Sequence, residues 1–266
     1  MALSASAADL VIEAGWHGRT NPGFVSVAPS PQGIPPKTAK NRPASATLLA
    51  CAPGTRYAAP VIALIDYGSG NLRSVHKALL KVGAQVRLVR QPDEMADAQA
   101  LVLPGVGAFD DCIQALGKQA LLEASRRFIQ SGRPFLGICV GYQALFERSE
   151  EFNSCAAGLG VFQGKVVRFS ERNGLKIPQI GWNQLEMVKP ECPLFRGIAA
   201  GSYVYFVHSF FPKPADAAIV ATRTTYGETF ASSVWRDNVF ATQFHPEKSQ
   251  NVGLHLLQNF VELASQ

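Results

Sequence analysis

Short apolar runs alternate with amphipathic stretches from Val61 onward, a pattern typical of a parallel sheet covered by helices. The first four apolar runs predict strands over 61–66, 85–89, 100–103 and 135–138. Helices are predicted after the first strand, over about 119–130, beginning at 142–146, and over about 249–264. Later runs predict antiparallel strands over 158–169, 180–188, 203–210, 219–224, 230–235 and 239–244. We therefore expect an α/β fold with a mostly parallel central sheet flanked by helices and additional antiparallel strands in the C-terminal half.

The first predicted helix follows a turn at Gly68-Ser69-Gly70. Asn71 is a residue type that often caps a helix N-terminus, so it is the predicted cap. The apolar positions that would form the buried stripe of this helix are Leu72, Val75, Leu79, Leu80 and Val82.

The first 60 residues have a different composition from the rest. They contain eight of the 17 prolines and show no sustained apolar period, which favours a disordered extension. Two alternatives stay open. The segment is poor in acidic residues, as transit peptides are, although Asp9 and Glu13 argue against that reading. It is also compatible with a gene-start error, since an ordinary first strand begins at Val61.

Charge and cysteine content narrow the function classes. The formal net charge is +5, but residues 1–60 carry five basic and two acidic side chains and so supply +3 of it. The remainder is too weakly basic to indicate nucleic acid. Five cysteines without CxxC spacing argue against a disulfide framework or a zinc site and favour a reducing, cytoplasmic compartment. No apolar run approaches the roughly 18 residues of a membrane span.

The fourth strand runs directly into Gly137-Ile138-Cys139-Val140-Gly141, a G-x-C-x-G form of the nucleophile elbow. A sharp strand-to-helix turn would expose the Cys139 thiol above the sheet, and the helix N-terminus would favour the thiolate. The N–H of Val140 could bind the oxyanion that forms when the thiolate adds to a carbonyl. The ordinary alternative is an inert buried cysteine at a strand end.

A second polar segment, Gln243-Phe244-His245-Pro246-Glu247, closes a later strand. Strand alternation puts His245 and Glu247 on the same side, and Pro246 ends the ladder. His245 is the predicted base for Cys139, and Glu247 is predicted to orient its ring. Alone, the segment would be read as a turn with solvated charges.

Together, residues 137–143 and 243–249 resemble the class I, or triad, glutamine amidotransferases. The resemblance extends over 61–266 and implies a flavodoxin-like amidotransferase domain. It implies that Cys139 attacks the side-chain amide of L-glutamine, forms a γ-glutamyl thioester and releases ammonia, with neither a metal nor an organic cofactor.

Within that family, three further segments resemble the glutaminase subunit of imidazole glycerol phosphate synthase: 66–72, 103–109 and 178–183. The P-x-x-G-W-N pattern of 178–183 is the most discriminating, and 205–210 agrees with it. Gln179 stands where that subfamily often has His, and Phe210 where Tyr is usual. The resemblance implies a heterodimer with a (β/α)8 barrel cyclase, which uses the ammonia to convert PRFAR into imidazole glycerol phosphate and AICAR in histidine biosynthesis.

The resemblance also implies roles for further residues. The second oxyanion donor would come from the backbone around Val106 or Gly107, where glycines permit a peptide flip. Glutamine would be bound by Gly105, Gln143, His208 and Ser209, with the last two acting through main-chain atoms. The cyclase would contact Asn71, Trp182, Tyr205 and Lys248. Without the family, Gln143 and Lys248 would be read as solvated and His208 as a core histidine.

Three rival functions remain at this stage. The chain could serve another amidotransferase pathway, such as anthranilate or aminodeoxychorismate synthesis, but the P-x-x-G-W-N segment counts against that. A non-catalytic interaction protein is disfavoured by the intact Cys, His and Glu set. A cysteine peptidase or a DJ-1-like protein would also use an elbow cysteine, but neither predicts the H-P-E segment together with Gln143.

Overall fold

The computed structural model describes residues 59–171 and 174–266, without the side chain of Asn153. The predictions for residues 1–60 therefore fall almost entirely outside the described residues. The strands of the described part are β1 (Val61–Ile65), β2 (Gln85–Val89), β3 (Ala100–Leu103), β4 (Phe135–Ile138), β5 (Phe146–Ser149), β6 (Phe162–Arg168), β7 (Gln179–Gln184), β8 (Glu186–Met187), β9 (Tyr203–His208), β10 (Phe210–Pro214), β11 (Val220–Tyr226), β12 (Glu228–Arg236) and β13 (Val239–Thr242). The helices are α1 (Leu72–Lys81), α2 (Phe109–Lys118), α3 (Leu121–Gln130), α4 (Val140–Gln143) and α5 (Gln250–Leu263).

The main sheet confirms the predicted α/β fold. Its strand order is β2-β1-β3-β4-β13-β12-β11-β8. The five strands from β2 to β13 run parallel to one another, whereas β12, β11 and β8 extend the sheet in antiparallel fashion. Strands β3, β4 and β13 are buried along their whole length, as expected for a sheet covered on both faces.

Two smaller sheets complete the C-terminal half. Strand β6 pairs antiparallel with β10 and parallel with β5, so the prediction that 158–169 is purely antiparallel was only half right. Strands β7 and β9 form a separate antiparallel ribbon. The predicted strand 180–188 is divided at Leu185, because its second part joins the main sheet as β8. The predicted strand 203–210 is divided at Ser209 into β9 and β10.

Several helix predictions need correction. Helix α2 was missed, although Phe109, Cys112, Ile113 and Leu116 give it a buried face. The helix predicted to begin at 142–146 is instead the single turn α4, and Phe146 already begins β5. Because residues 142–146 are all buried, they cannot present the polar face of a longer surface helix. In the described residues, no helix has the length and apolar character needed to cross a bilayer.

Helix α1 lies where it was predicted, but two of its details differ. Asn71 occupies the N-cap position as predicted, but its side chain makes no capping hydrogen bond. Leu80 is 48% exposed, and the buried face is formed by Val75, Ala78 and Leu79. Asn71 is directed instead toward the far end of the chain, at the site described below.

The carboxyl ends of the parallel strands meet at one edge of the main sheet. Ligand sites of open α/β sheets form at this edge. Here it brings together Tyr67 after β1, the turn 104–107 after β3, Cys139 after β4 and the segment 243–247 after β13. Four segments that are distant in sequence therefore converge on one place.

Candidate active site

Cys139 occupies a strained turn between β4 and α4. Its φ of 55° and ψ of −106° lie in a region that side-chain-bearing residues rarely adopt. The backbone around it supports this conformation: the N–H of Cys139 donates to the Thr242 carbonyl at 2.8 Å, and its carbonyl accepts from the N–H of Gln143 at 3.1 Å. The predicted elbow is therefore present.

The glycines of the elbow are required by close backbone contacts. A Cβ on Gly141 would lie 2.0 Å from the Leu103 carbonyl oxygen, far inside contact distance. A Cβ on Gly137 would lie 2.7 Å from the Gly141 oxygen. Any side chain at either position would push the turn away from its neighbours. Since α4 is only four residues long, however, the helix dipole that was expected to favour the thiolate is short.

His245 and Glu247 lie together beside Cys139. The Nδ1 atom of His245 is 2.8 Å from Oε1 of Glu247, and the two side chains are 2% and 0% exposed. Nε2 of His245 is buried without a hydrogen bond of normal geometry among the described residues, and the Cys139 thiol lies next to it. Burial lowers the pKa of His245, but the adjacent Cys139 and Glu247 outweigh burial and raise that pKa well above its usual value. The three predicted triad residues are thus brought together.

Two polar residues hold the triad in position. The Nδ2 group of Asn71 donates to Oε1 of Glu247 at 3.2 Å, the same oxygen that faces His245. Ser249 Oγ donates to the His245 carbonyl at 2.7 Å and accepts from the N–H of Tyr205 at 3.0 Å. Sequence reasoning had assigned Asn71 only to a cap and to a partner surface, and it did not single out Ser249.

A cavity of about 390 Å³ opens at Cys139, within the range of small-molecule sites. It collects most of the residues predicted for catalysis and glutamine binding. Its lining consists of Val106, Gly107, Cys139, Val140, Gln143, Glu151, Phe152, Val207, His208, Ser209, Phe210, His245 and Lys248. Gly105 does not line it, because that residue packs beneath the turn, where an added Cβ would lie 2.7 Å from both Gly141 N and Val140 Cβ.

The turn that was predicted to complete the oxyanion hole is tied to β1. Ser69 Oγ donates to the Val106 carbonyl at 3.2 Å. The N–H of Val106 is directed at the buried Tyr67 hydroxyl, which has no hydrogen bond of normal geometry among the described residues. Burial, with smaller effects of Cys112, raises the pKa of Tyr67, so this hydroxyl stays neutral.

His208 has a ring that is fully occupied by the protein. Its Nδ1 lies 2.9 Å from the Phe210 carbonyl and its Nε2 lies 3.0 Å from the Gln179 amide. Burial lowers its pKa to about 4, opposed in part by the Phe210 carbonyl. Because a carbonyl only accepts, Nδ1 carries the hydrogen, and the neutral Nε2 requires Gln179 to turn its NH₂ toward the ring. The ring is a core element, which leaves the main chain of His208 for ligand binding.

Two residues of the cavity carried no signal in the sequence. Glu151 and Phe152 lie in the short segment Glu151–Asn153, in which the backbone of Phe152 is left-handed (φ 42°, ψ 47°). Oε2 of Glu151 accepts from the N–H of Phe109 at 2.8 Å, and burial raises the pKa of this carboxyl. Phe152 is 85% exposed at the rim, with its ring 6.0 Å from that of Phe210. Neither residue lies in a recognisable motif, so only the tertiary structure places them.

Three of the residues predicted to contact a partner share one exposed surface. On the ribbon of β7 and β9, Trp182 pairs with Tyr205, and their rings meet edge to face at 6.0 Å. The ammonium of Lys248 lies 5.7 Å from the centre of the Tyr205 ring. Ile180 and Tyr203 are also exposed on this ribbon. We call the exposed side formed by Ile180, Trp182, Tyr203 and Tyr205 the ribbon face.

Comparison with known proteins agrees with this geometry. The family model Glutamine amidotransferase class-I matches residues 63–263. The chain is 51% identical over 208 residues to the imidazole glycerol phosphate synthase subunit HisH of Syntrophotalea carbinolica, covering 76% of this chain and 100% of that protein. It is 49% identical over 207 residues to the subunit HisH of Geobacter sulfurreducens, covering 76% and 98%. A solved structure of a glutamine amidotransferase shares the fold, with a TM-score of 0.61 at 21% identity over 77% of this chain and 99% of that one. The chain therefore belongs to the class-I glutamine amidotransferase family and, within it, to the HisH subunits of imidazole glycerol phosphate synthase.

Proposed function

We propose that this chain hydrolyses L-glutamine to L-glutamate and ammonia as the glutaminase subunit of imidazole glycerol phosphate synthase. The observation that carries the proposal is His245, buried between Glu247 at 2.8 Å and the Cys139 thiol at the head of a ligand-sized cavity. A base whose ring is oriented by a carboxylate and directed at an elbow nucleophile is the arrangement used for acyl transfer.

The proposed reaction uses both protonation states of the Cys139 and His245 pair: thiol with imidazole, and thiolate with imidazolium. His245 takes the thiol proton, and the Cys139 thiolate adds to the side-chain carbonyl carbon of glutamine. The resulting oxyanion is bound by the N–H of Val140 and by a second N–H from the turn at Val106 and Gly107. The imidazolium then protonates the leaving nitrogen, and ammonia departs. Water activated by His245 hydrolyses the thioester and restores the thiol.

The second oxyanion donor requires a local rearrangement. The Val106 N–H is directed at Tyr67, whereas Gly107 has a φ of 95° that only glycine adopts easily. Rotation of the peptide that joins these two residues would turn the Gly107 N–H and release the Val106 carbonyl from Ser69 Oγ, and the space beside Gly107 is open, since an added Cβ there would meet nothing within 4 Å. We infer that this turn completes the oxyanion hole when the partner is loaded.

The amino-acid end of glutamine meets complementary groups in the cavity. Glu151 is the only carboxylate among the described residues that line the cavity, and we infer that it pairs with the α-ammonium. Within the described residues, Gln143 makes both of its side-chain hydrogen bonds through Nε2, so its Oε1 is left to accept from the same ammonium. The main chain of His208 and Ser209 would bind the α-carboxylate.

The ammonia requires a second enzyme. Free ammonia in neutral water is mostly protonated and therefore not nucleophilic, so the product is useful only if it passes directly to an acceptor site. We infer that a HisF-type (β/α)8 barrel docks on the ribbon face to form a heterodimer and converts PRFAR into imidazole glycerol phosphate and AICAR. An exposed cluster of aromatic and apolar side chains is typical of such an interface. Since Cys139 must stay reduced, we place the protein in the cytoplasm.

The decisive experiment measures glutamate release from L-glutamine, with and without a barrel cyclase and PRFAR. We expect strong stimulation by the loaded cyclase and complete loss of activity in Cys139→Ala, whose far-UV spectrum should match the wild type. Equal activity in Cys139→Ala would sink the mechanism. Stimulation by an anthranilate or aminodeoxychorismate synthase component, but not by the cyclase, would favour the alternative pathway.

A further inference from the structure

Gln243 is a fully buried side chain that touches the reacting sulfur. It lies between the end of β13 and the proposed base His245 and shares its side of the chain. Its Nε2 is 3.6 Å from Sγ of Cys139, within hydrogen-bond reach of a sulfur acceptor. Its Oε1 is 3.2 Å from Nε2 of Gln143. Gln243 therefore bridges the nucleophile and a residue that the proposed function assigns to glutamine binding.

The orientation of both amides follows from one fixed acceptor. The Phe210 carbonyl lies 3.0 Å from the Gln143 amide, and a carbonyl oxygen can only accept. Gln143 must therefore present its NH₂ group there, and the second hydrogen of that group is directed at Gln243. That hydrogen requires the oxygen of Gln243 to face Gln143, so the NH₂ of Gln243 must face the sulfur. The direction of donation toward Cys139 is thus determined by the backbone at Phe210.

A donor directed at sulfur favours the thiolate over the thiol. A thiolate accepts hydrogen bonds more strongly than a neutral thiol does, because the acceptor is charged. The short helix α4 offers few aligned peptides for this purpose, since it contains only four residues. A buried amide with no exposure to water keeps its full effect, because no solvent competes for the sulfur.

We propose that Gln243 is a catalytic residue of this amidotransferase, whose side-chain N–H stabilises the Cys139 thiolate while its oxygen holds Gln143 in position for glutamine. The proposal rests on the proposed glutaminase function and specifies how the resting nucleophile is prepared. It assigns separate tasks to the two ends of one amide. Loss of the NH₂ end affects the sulfur, and loss of the oxygen end affects glutamine binding through Gln143.

Alkylation of Cys139 by iodoacetamide tests the donor without any need for glutamine to bind. The full-length chain is treated at pH 7, and the rate is measured by mass spectrometry on the peptide that contains Cys139, since the exposed Cys155 would be alkylated as well. We expect Gln243→Met to slow alkylation about 10-fold or more, as for the loss of a hydrogen bond to a charged group. A rate within about twofold of wild type would overturn the proposal.

A matched variant separates the sulfur from the substrate. Gln143→Met makes the same substitution one hydrogen bond further from the sulfur. We expect it to raise the KM for glutamine at least about tenfold and to slow alkylation less than Gln243→Met does, because the Gln243 amide stays beside the sulfur although Gln143 no longer fixes its direction. Slowing alkylation equally in both variants would contradict a specific donor at Gln243. Both variants are compared after cooperative thermal unfolding is verified, because partial unfolding would accelerate alkylation instead of slowing it.

Two further outcomes keep the test decisive. If Gln243→Met does not fold, Gln243→Asn keeps an amide but withdraws it by one methylene, and it should slow alkylation about threefold or more. An unchanged rate in Gln243→Asn would then count against the proposal. If the wild type releases glutamate but Gln243 variants alkylate normally, only this inference fails. If wild type and Cys139→Ala are equally inactive with the loaded cyclase, the proposed function fails.

Discussion

Replacing Glu247 with glutamine would separate the charge of the triad carboxylate from its shape. Oε1 of Glu247 receives two donors, His245 Nδ1 at 2.8 Å and Asn71 Nδ2 at 3.2 Å. Oε2 is buried and has no hydrogen-bond partner among the described residues. Because both donors converge on Oε1, a glutamine would keep its carbonyl oxygen there and place its NH₂ at the Oε2 position. His245 would therefore retain its tautomer and lose only the negative charge beside it.

The size of the effect can be bounded. For unit charges at the 2.8 Å separation of His245 and Glu247, Coulomb's law at an effective dielectric constant of about 20 gives about 6 kcal/mol, an upper limit. The difference between a hydrogen bond to a charged acceptor and one to a neutral acceptor gives a lower limit of about 1 kcal/mol. An intermediate cost of about 3 kcal/mol corresponds to a fall of about 100-fold in kcat/KM.

The assay is glutamate release in four proteins: wild type, Glu247→Gln, Asn71→Leu and the double variant. Without Asn71, a glutamine at 247 is free to turn its NH₂ toward Nδ1, which forces His245 into the wrong tautomer. We therefore expect the double variant to lose about tenfold more activity than the product of the single effects. If the loss in the double variant agrees within about twofold with the product of the two single losses, Asn71 does not orient position 247. A loss below about threefold in Glu247→Gln would refute the charge argument.

Three further predictions concern stability and assembly. Gly141→Ala places a Cβ 2.0 Å from a backbone oxygen of β3 and should lower the free energy of unfolding by more than about 4 kcal/mol or prevent folding. The control Gly117→Ala adds a Cβ in α2 that meets no atom within 4 Å, and it should raise the free energy of unfolding by about 0.5–1 kcal/mol. Equal effects of the two variants in denaturant unfolding would contradict the elbow geometry. The pKa of His208 is about 4 in the folded protein and about 6.5 when unfolded, so its neutral form stabilises fully above pH 6.5 and this contribution is lost as pH falls toward 4. Between pH 6.5 and pH 4, the free energy of unfolding of the wild type should fall by about 3 kcal/mol more than that of His208→Gln. Parallel profiles of unfolding free energy against pH in the two proteins would contradict a buried, neutral His208. Trp182→Ala should weaken cyclase binding by about 30-fold or more while basal glutaminase activity is retained. The control Leu80→Ala, at an exposed position on α1, should leave the affinity measured by titration of the cyclase unchanged. Equal affinities in the two variants would rule out the ribbon face as the docking surface.

Local sequence was sufficient for the parallel strands of the main sheet and for the prediction of Cys139 and His245 at their carboxyl ends. Strands 85–89, 100–103 and 135–138 were predicted with the bounds that the structure shows, because each is a short apolar run closed by glycine, proline or a polar residue. Cys139 and His245 stand at strand ends, where the carboxyl edge of a parallel sheet collects functional groups. The family resemblance then assigned the neighbouring residues, and family membership is confirmed.

Other features depended on contacts that sequence patterns do not encode. Helix α4 is short because its residues are buried on all sides, and two predicted strands are divided because their halves pair with different sheets. These outcomes are set by the partners available in the folded chain, not by local periodicity.

The sequence by itself was sufficient to predict Cys139 as an elbow nucleophile with His245 and Glu247 as its partners, in a class-I amidotransferase fold that is confirmed. Only the tertiary structure decided how these groups are held. Asn71 reaches Glu247 across 176 positions of the chain, and Gln143 reaches Gln243 across 100. Such pairings leave no local period, because each depends on which strand ends the sheet order brings together and on which backbone carbonyl fixes the direction of an amide.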